Sequence, residues 1–271
     1  MRYIDLHVHS NCSDGTFSPE ELVVLGIKQE LVAFALTDHD TISGVERAIK
    51  KAEEFDNKIQ VIPGMELSCK YLLSSSQSVE IHMLGYRYDI HNKKLIATLE
   101  DISNERDERN RKMCSNLQNA GFPISYDMLC ERFGDTILTR AHFARLLLEN
   151  GGVPSLDYAF RTCLSSDSPY FVNREYLTPK DAIDLIRASG GIPVLAHPLL
   201  YKLSVSQIRR LLDDLTSYGL CGIEAIYSRN RGTDEAFVRK LADEYHLFIT
   251  GGSDFHGANK PDIELGRGTG N

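Results

Sequence analysis

The sequence predicts an α/β fold: a closed, mainly parallel barrel of seven strands, interrupted by a helical insertion. Three observations lead there. Strand-length apolar runs alternate with segments of helical period up to about residue 91 and again from about residue 177. Residues 92–176 carry no convincing strand and open on a long charged helix. Finally, the chain holds a pair of metal-ligand side chains near each end, His7-Val8-His9 and Asp254-Phe255-His256. Residues i and i+2 of a strand point to the same face, so both pairs can aim into one cavity if the first and last strands meet. A barrel makes them meet.

The elements follow in order. Ile4 to Val8 is a short strand. Ser18-Pro19-Glu20-Glu21 is a helix start, with a cap, proline at the first helical position and acids in the first turn. Val32 to Leu36 is the next strand and ends at Thr37-Asp38-His39-Asp40. A helix of about Ser43 to Phe55 places Val45, Ala48, Ile49 and Ala52 at helical spacing. Gln60 to Ile62 opens a third strand leading to Glu66, and Val79 to Leu84 is a fourth, joined to it by the polar link Ser74 to Ser78. The insertion then reads as helices at Lys93 to Asn119, Tyr126 to Phe133, Arg140 to Asn150 and Leu156 to Leu164. Barrel grammar resumes with a helix from Pro179 and the strand Ile192 to Ala196, which ends at His197-Pro198. The helix Ser206 to Tyr218 leads into Gly222 to Tyr227, and the helix Asp234 to Tyr245 into Leu247 to Thr250. Helical crossovers make the sheet mainly parallel and right-handed. The expected domains are a barrel of residues 1–91 and 177–271 and an insertion of residues 92–176. Gly268 to Asn271 reads as a flexible tail with no inferred role.

Composition narrows the class. Hydrophobic content of 42% and charged content of 25% are those of a globular domain. A net charge of −8 argues against duplex DNA as a partner. No stretch is apolar enough for a membrane span, and candidate ligands beginning at His7 argue against a cleavable signal. Six scattered cysteines without a C-x-x-C pair read as reduced thiols of a cytoplasmic protein.

Nine candidate ligands fall at or near the carboxyl ends of strands: His7, His9, Asp14, His39, Glu66, His82, His197, Asp254 and His256. Catalytic groups of parallel barrels gather there because loops vary while the core stays packed. Six of the nine histidines belong to the set, and His91, His142 and His246 do not. Nitrogen and oxygen donors without thiolate suit manganese first, or zinc or iron. Nine ligands exceed the needs of one ion and suit two or three divalent metal ions. Such a cluster keeps excess positive charge for a phosphate ester and lowers the pKa of bound water. Asp5 and Asp38 can orient imidazoles from behind, or make structural hydrogen bonds near strand ends.

The set His7-x-His9, Asp14, Thr37-Asp38-His39, Glu66, His82, Ala196-His197-Pro198 and Gly252-Ser253-Asp254-Phe255-His256 resembles the four motifs of the PHP (polymerase and histidinol phosphatase) family. The resemblance implies a distorted (β/α)7 barrel with a trinuclear centre. By similarity, one ion takes His7, His9, Glu66 and Asp254. A second shares Glu66 and adds His82 and His197, and a third takes Asp14, His39 and His256. Glu66, His197 and Asp254 are then the catalytic residues. The insertion, with Thr139-Arg140-Ala141-His142-Phe143-Ala144-Arg145, is similar to that of bacterial PHP phosphoesterases with a Gly-Arg-Pro-His string, Thr139 and Ala141 replacing Gly and Pro. That resemblance implies a nucleoside 3′,5′-bisphosphate as substrate, losing its 3′-phosphate, or short 5′-phosphorylated RNA. The alternatives are a histidinol-phosphate phosphatase and a non-catalytic metal-stabilised module.

Substrate-binding candidates are Arg140, which can grip phosphate bidentately, His142, Arg229 beyond the sixth strand, and Lys260. His142 has an alternative role in packing the helix start. Arg106, Arg109 and Arg111 stand among Glu105, Asp107 and Glu108 and read as a solvated helix face. Leu146, Leu147 and Leu148 read as insertion core.

Overall fold

A computed structural model describes residues 3–134 and 136–267. The terminal Gly268 to Asn271 lies outside them. The chain divides into two compact units: residues up to Ala97 together with those from Tyr176 onward, and Thr98–Glu175.

In the first unit the described residues form one seven-stranded sheet in sequence order. Its strands are β1 (Tyr3–Val8), β2 (Leu31–Leu36), β3 (Gln60–Leu72), β4 (Ser78–Tyr86), β5 (Ile192–Leu195), β6 (Gly222–Tyr227) and β7 (Phe248–Gly252). The pairs β1–β2, β2–β3, β5–β6 and β6–β7 are parallel, while β4 runs antiparallel to both neighbours. The sheet curls until Val8 bridges Phe255, so it is a nearly closed α/β barrel. The reversal at β4 follows from the short polar link 73–77, since a hairpin joins only antiparallel strands. β3 runs well beyond the short start read from sequence and carries Glu66 in mid-strand.

Helices α1 (Pro19–Lys28) and α2 (Val45–Glu53) cover the first strands. Ser18 and Glu21 cap α1 reciprocally, satisfying two N-terminal donors. Leu22, Val23 and Ala48 pack with Phe34, Leu36 and Ile59. Small side chains meet within the barrel, where Ala35 and Ala196 lie with Leu84 and Val194.

The second unit begins inside α3 (Lys93–Asn119) and holds α4 (Tyr126–Phe133), α5 (Arg140–Glu149) and α6 (Leu156–Tyr158), the last continuing as a π-helical turn, Ala159–Cys163. Its core gathers Met113, Leu117, Leu129, Phe143, Leu146 and Leu147. Leu148 is exposed. Arg106 and Arg109 correct the expectation of a solvated face, being 5% and 6% exposed. They share a helix face with Asn110 and Met113, and Asn110 Nδ2 donates to the Leu138 carbonyl at 3.0 Å. Arg111 is exposed and stacks on Tyr126, 3.8 Å from the ring centroid.

The first unit resumes with α7 (Pro179–Ala188), α8 (Val205–Tyr218) and α9 (Asp234–Glu244), bringing the helices among the described residues to nine. Thr178 caps α7 and Ser204 caps α8. None of these helices is long and apolar enough to cross a membrane.

Candidate metal centre

The nine candidate ligands converge at one end of the barrel. Glu66 is the hub. Its Oε1 lies 2.9 Å from both His82 Nδ1 and His197 Nε2. Its Oε2 lies 3.3 Å from His7 Nε2, 3.2 Å from His9 Nε2 and 3.1 Å from His39 Nδ1. The sheet register explains the His82 contact. Glu66 pairs with Leu84, and Ser68 with His82, so Glu66 and His82 are diagonal neighbours on one face. His39 reaches the same place because it bridges Glu66 from the end of β2.

His7 and His9 arrive from β1, and Asp254 and His256 from beyond β7. The two segments are stitched by Asp254 N to the His7 carbonyl at 2.8 Å and by His9 N to the Phe255 carbonyl at 3.0 Å. Asp254 Oδ1 then stands 3.7, 3.5 and 3.3 Å from His7 Nε2, His9 Nε2 and His256 Nδ1. Asp14 Oδ1 is 3.2 Å from His256 Nε2 and its Oδ2 3.9 Å from His39 Nε2.

Three groups have ligand atoms within 4.8 Å of one another: His9, Asp14, His39 and His256; His7, His9 and Glu66; and His39, Glu66 and His82. His9 and His39 each join two groups, which the ligand sets implied by family resemblance did not contain. The donor chemistry fits divalent cations. His7 Nε2, His9 Nε2 and His39 Nδ1 each stand within 3.3 Å of Glu66 Oε2, and all four atoms are buried and make no hydrogen bond. Buried polar atoms are nearly always satisfied, so imidazole nitrogens left bare around one carboxylate oxygen call for cations among them.

Charge is tightly coupled here. Burial pushes Glu66 up, but His39, His82 and His7 outweigh it and hold the carboxyl well below its ordinary range. Burial opposes protonation of His82, yet Glu66 lifts it to about 10. His9 goes well down, through burial and then the neighbouring His256.

The remaining candidates have defined surroundings. Lys260 Nζ donates to Asp254 Oδ2 at 2.5 Å, and Tyr227 Oη donates to the same oxygen at 2.7 Å. Arg229 forms a two-bonded, exposed pair with Asp262. In the second unit Thr139 caps α5, the buried His142 accepts from Thr139 N through Nδ1, and its ring meets Phe133 edge-on. Arg140 is the first residue of α5 and half-buried.

Two expectations change. Among the described residues neither Asp5 nor Asp38 meets an imidazole directly; Asp38 reaches His9 only through Ser13 Oγ, which is 2.6 Å from Asp38 Oδ1 and 3.5 Å from His9 Nδ1. Asp5 accepts from His7 N, Ser253 N and Gly266 N, and Asp38 from Ser10 and Ser13. They brace loop backbone and hydroxyls, the structural role weighed against the other. A carboxylate outside the ligand set that meets an imidazole directly is Glu224, fully buried and 2.9 Å from His7 Nδ1. Its signal in the sequence was an acid inside the apolar run Gly222 to Tyr227.

The PHP domain model matches residues 5–153, more than half of the chain. The chain belongs to the PHP family. A 5′-3′ exoribonuclease of Haemophilus influenzae is 34% identical, over 93% of this chain and 89% of its own. A 3′,5′-nucleoside bisphosphate phosphatase of Chromobacterium violaceum is 32% identical, over 98% of this chain and 91% of its own. A crystal structure from Bifidobacterium adolescentis, assigned as a metal-dependent phosphoesterase, superposes with a TM-score of 0.85 at 29% identity, over 98% of this chain and 92% of its own. The barrel is therefore of the PHP type, and the protein is a hydrolase of phosphoric esters whose histidine and carboxylate clusters fit divalent metals.

Proposed function

We propose that this PHP phosphoesterase removes the 3′-phosphate of a nucleoside 3′,5′-bisphosphate, with short 5′-phosphorylated RNA as a second substrate. The observation that carries the phosphoesterase reading is the buried cluster of mutually facing nitrogen and oxygen atoms around Glu66. The finer reading draws support from the bisphosphate phosphatase and exoribonuclease relatives, each aligned over most of both chains.

When bound, divalent ions in such a site polarise a phosphoryl oxygen and lower the pKa of water. The residues proposed to hold them are His7, His9, Asp14, His39, Glu66, His82, His197, Asp254 and His256. Glu66 is the proposed shared ligand, and the support for this is that its two oxygens face different imidazoles. Tyr227 and Lys260 occupy Asp254 Oδ2, which leaves Oδ1 directed at the imidazoles. Lys260 thereby serves Asp254, and a phosphate would have to compete for it. Arg140 is the proposed holder of the second phosphate. Losing one charge-assisted contact corresponds to about a tenfold rise in KM or more, with kcat nearly unchanged, for Arg140→Ala.

The test is a panel of adenosine 3′,5′-bisphosphate, histidinol phosphate and a short 5′-phosphorylated RNA, assayed with manganese, zinc and iron. Release of inorganic phosphate and 5′-AMP from the first, abolished by Glu66→Ala, is expected. Preferential turnover of histidinol phosphate would replace this reading. No turnover of any ester by metal-loaded protein would leave a metal-stabilised module.

A further inference from the structure

Glu224 is outside the ligand set, yet it holds two members of it. Its Oε1 accepts from His7 Nδ1 at 2.9 Å, and its Oε2 accepts from the backbone N–H of His197 at 2.8 Å. It is fully buried, on β6, between β5 and β7. The β6–β7 register slips between Glu224 and Ile226. That irregularity resets the in–out alternation, so Glu224 and Tyr227, three residues apart, both reach the centre.

We propose that Glu224 is a positioning residue that sets the tautomer of His7 and the backbone conformation of His197. The inference rests on the metal reading of the site. A carboxylate only accepts, so its bond to Nδ1 keeps the ring proton there. The lone pair of Nε2 is then turned toward Glu66 and Asp254, 3.3 and 3.7 Å away. His197 has φ +22° and ψ 61°, a region that non-glycine residues avoid. The bond from Glu224 Oε2 anchors that backbone, and from it His197 Nε2 reaches Glu66. One carboxylate thus prepares ligands from β1 and from the end of β5 before any ion arrives. A glutamine cannot replace it. Its oxygen serves one of the two donors, and its amide would face the other donor with a donor of its own.

The experiment uses the full chain, stripped with EDTA. Manganese binding is followed by the electron paramagnetic resonance signal of free ion, and kcat and KM are measured alongside. Glu224→Gln is expected to weaken manganese binding about 10- to 100-fold, with substrate KM at saturating metal little changed. Glu224→Asp, which keeps an acceptor on a shorter arm, should fall between. In EDTA-treated wild type, long-range ¹H–¹⁵N correlation should show a proton on His7 Nδ1, a readout that needs no variant to fold and no ion to fix the tautomer. Glu224→Gln binding manganese as tightly as wild type, or a metal-free wild-type His7 with no proton on Nδ1, overturns the role of Glu224 alone. Wild type that takes up no divalent ion overturns the metal reading itself.

Discussion

Gly252 stands where β7 passes β1, and replacing it with alanine tests the closure on which the centre depends. A Cβ built at Gly252 would overlap the His7 Cβ and lie 2.6 Å from His7 N and 2.9 Å from His7 Cα. Carbon atoms settle at about 3.5–4.0 Å, so the two strands must part by roughly 1 Å. The opposing atoms are backbone and Cβ, which cannot swing aside. Parting lengthens the bonds from Asp254 N to His7 O, 2.8 Å, and from His9 N to Phe255 O, 3.0 Å, beyond hydrogen-bonding range. Two such bonds contribute about 1–3 kcal/mol together, and overpacking strain adds about 1–3 kcal/mol. Gly252→Ala should therefore destabilise the protein by about 2–6 kcal/mol. It should also weaken metal binding, because His7, His9, Asp254 and His256 all hang on that seam. Urea unfolding of EDTA-treated protein and manganese titration measure the two effects. A variant within about 0.5 kcal/mol of wild type, with unchanged metal affinity, would refute the argument that close approach at Gly252 builds the site.

Tyr227→Phe removes one of two donors from Asp254 Oδ2; a bond to a charged group is worth about 1.5–3 kcal/mol, so manganese titration should show about a tenfold weaker site, and unchanged affinity would mean that Lys260 suffices. Metal removal should lower the thermal midpoint, since ion at a hundred times its Kd stabilises by about 2.7 kcal/mol, and scanning calorimetry with and without EDTA reads the difference. Metal-free protein should also be acid-sensitive. Burial pushes Asp14, Glu66 and Asp254 up, but facing histidines, and Lys260 at Asp254, hold all three well below the ordinary carboxylate range. A depressed folded pKa contributes stability above the unfolded value, about 4, that is lost as pH falls through the folded value. The urea midpoint should then drop steadily below about pH 4, and a flat profile there would count against carboxylates paired in the fold.

Much of this was readable in the chain because it is local. Ser18, Pro19 and Glu21 announce α1 within four residues, and the reciprocal cap is there. Strand-end histidines are visible because a polar ligand after an apolar run breaks the burial pattern at one place. Glu224 was missed for the opposite reason. Its acid lies in mid-strand, and its partners His7 and His197 are remote in sequence, so only their meeting gives it meaning. Arg106 and Arg109 were misplaced by reasoning from neighbouring acids on the same helix, which says nothing about what packs against that face.

By itself the sequence determined the α/β alternation and picked out nine side chains as candidate ligands. These follow from periodicity, capping and ligand spacing, which act over a few residues. Tertiary structure alone decided how those ligands group, that Lys260 and Tyr227 hold Asp254, that Asp5 and Asp38 brace loops, and that Glu224 stands behind His7. Each depends on barrel closure and on the register of strands far apart in the chain, which is settled only when their buried faces meet in one sheet.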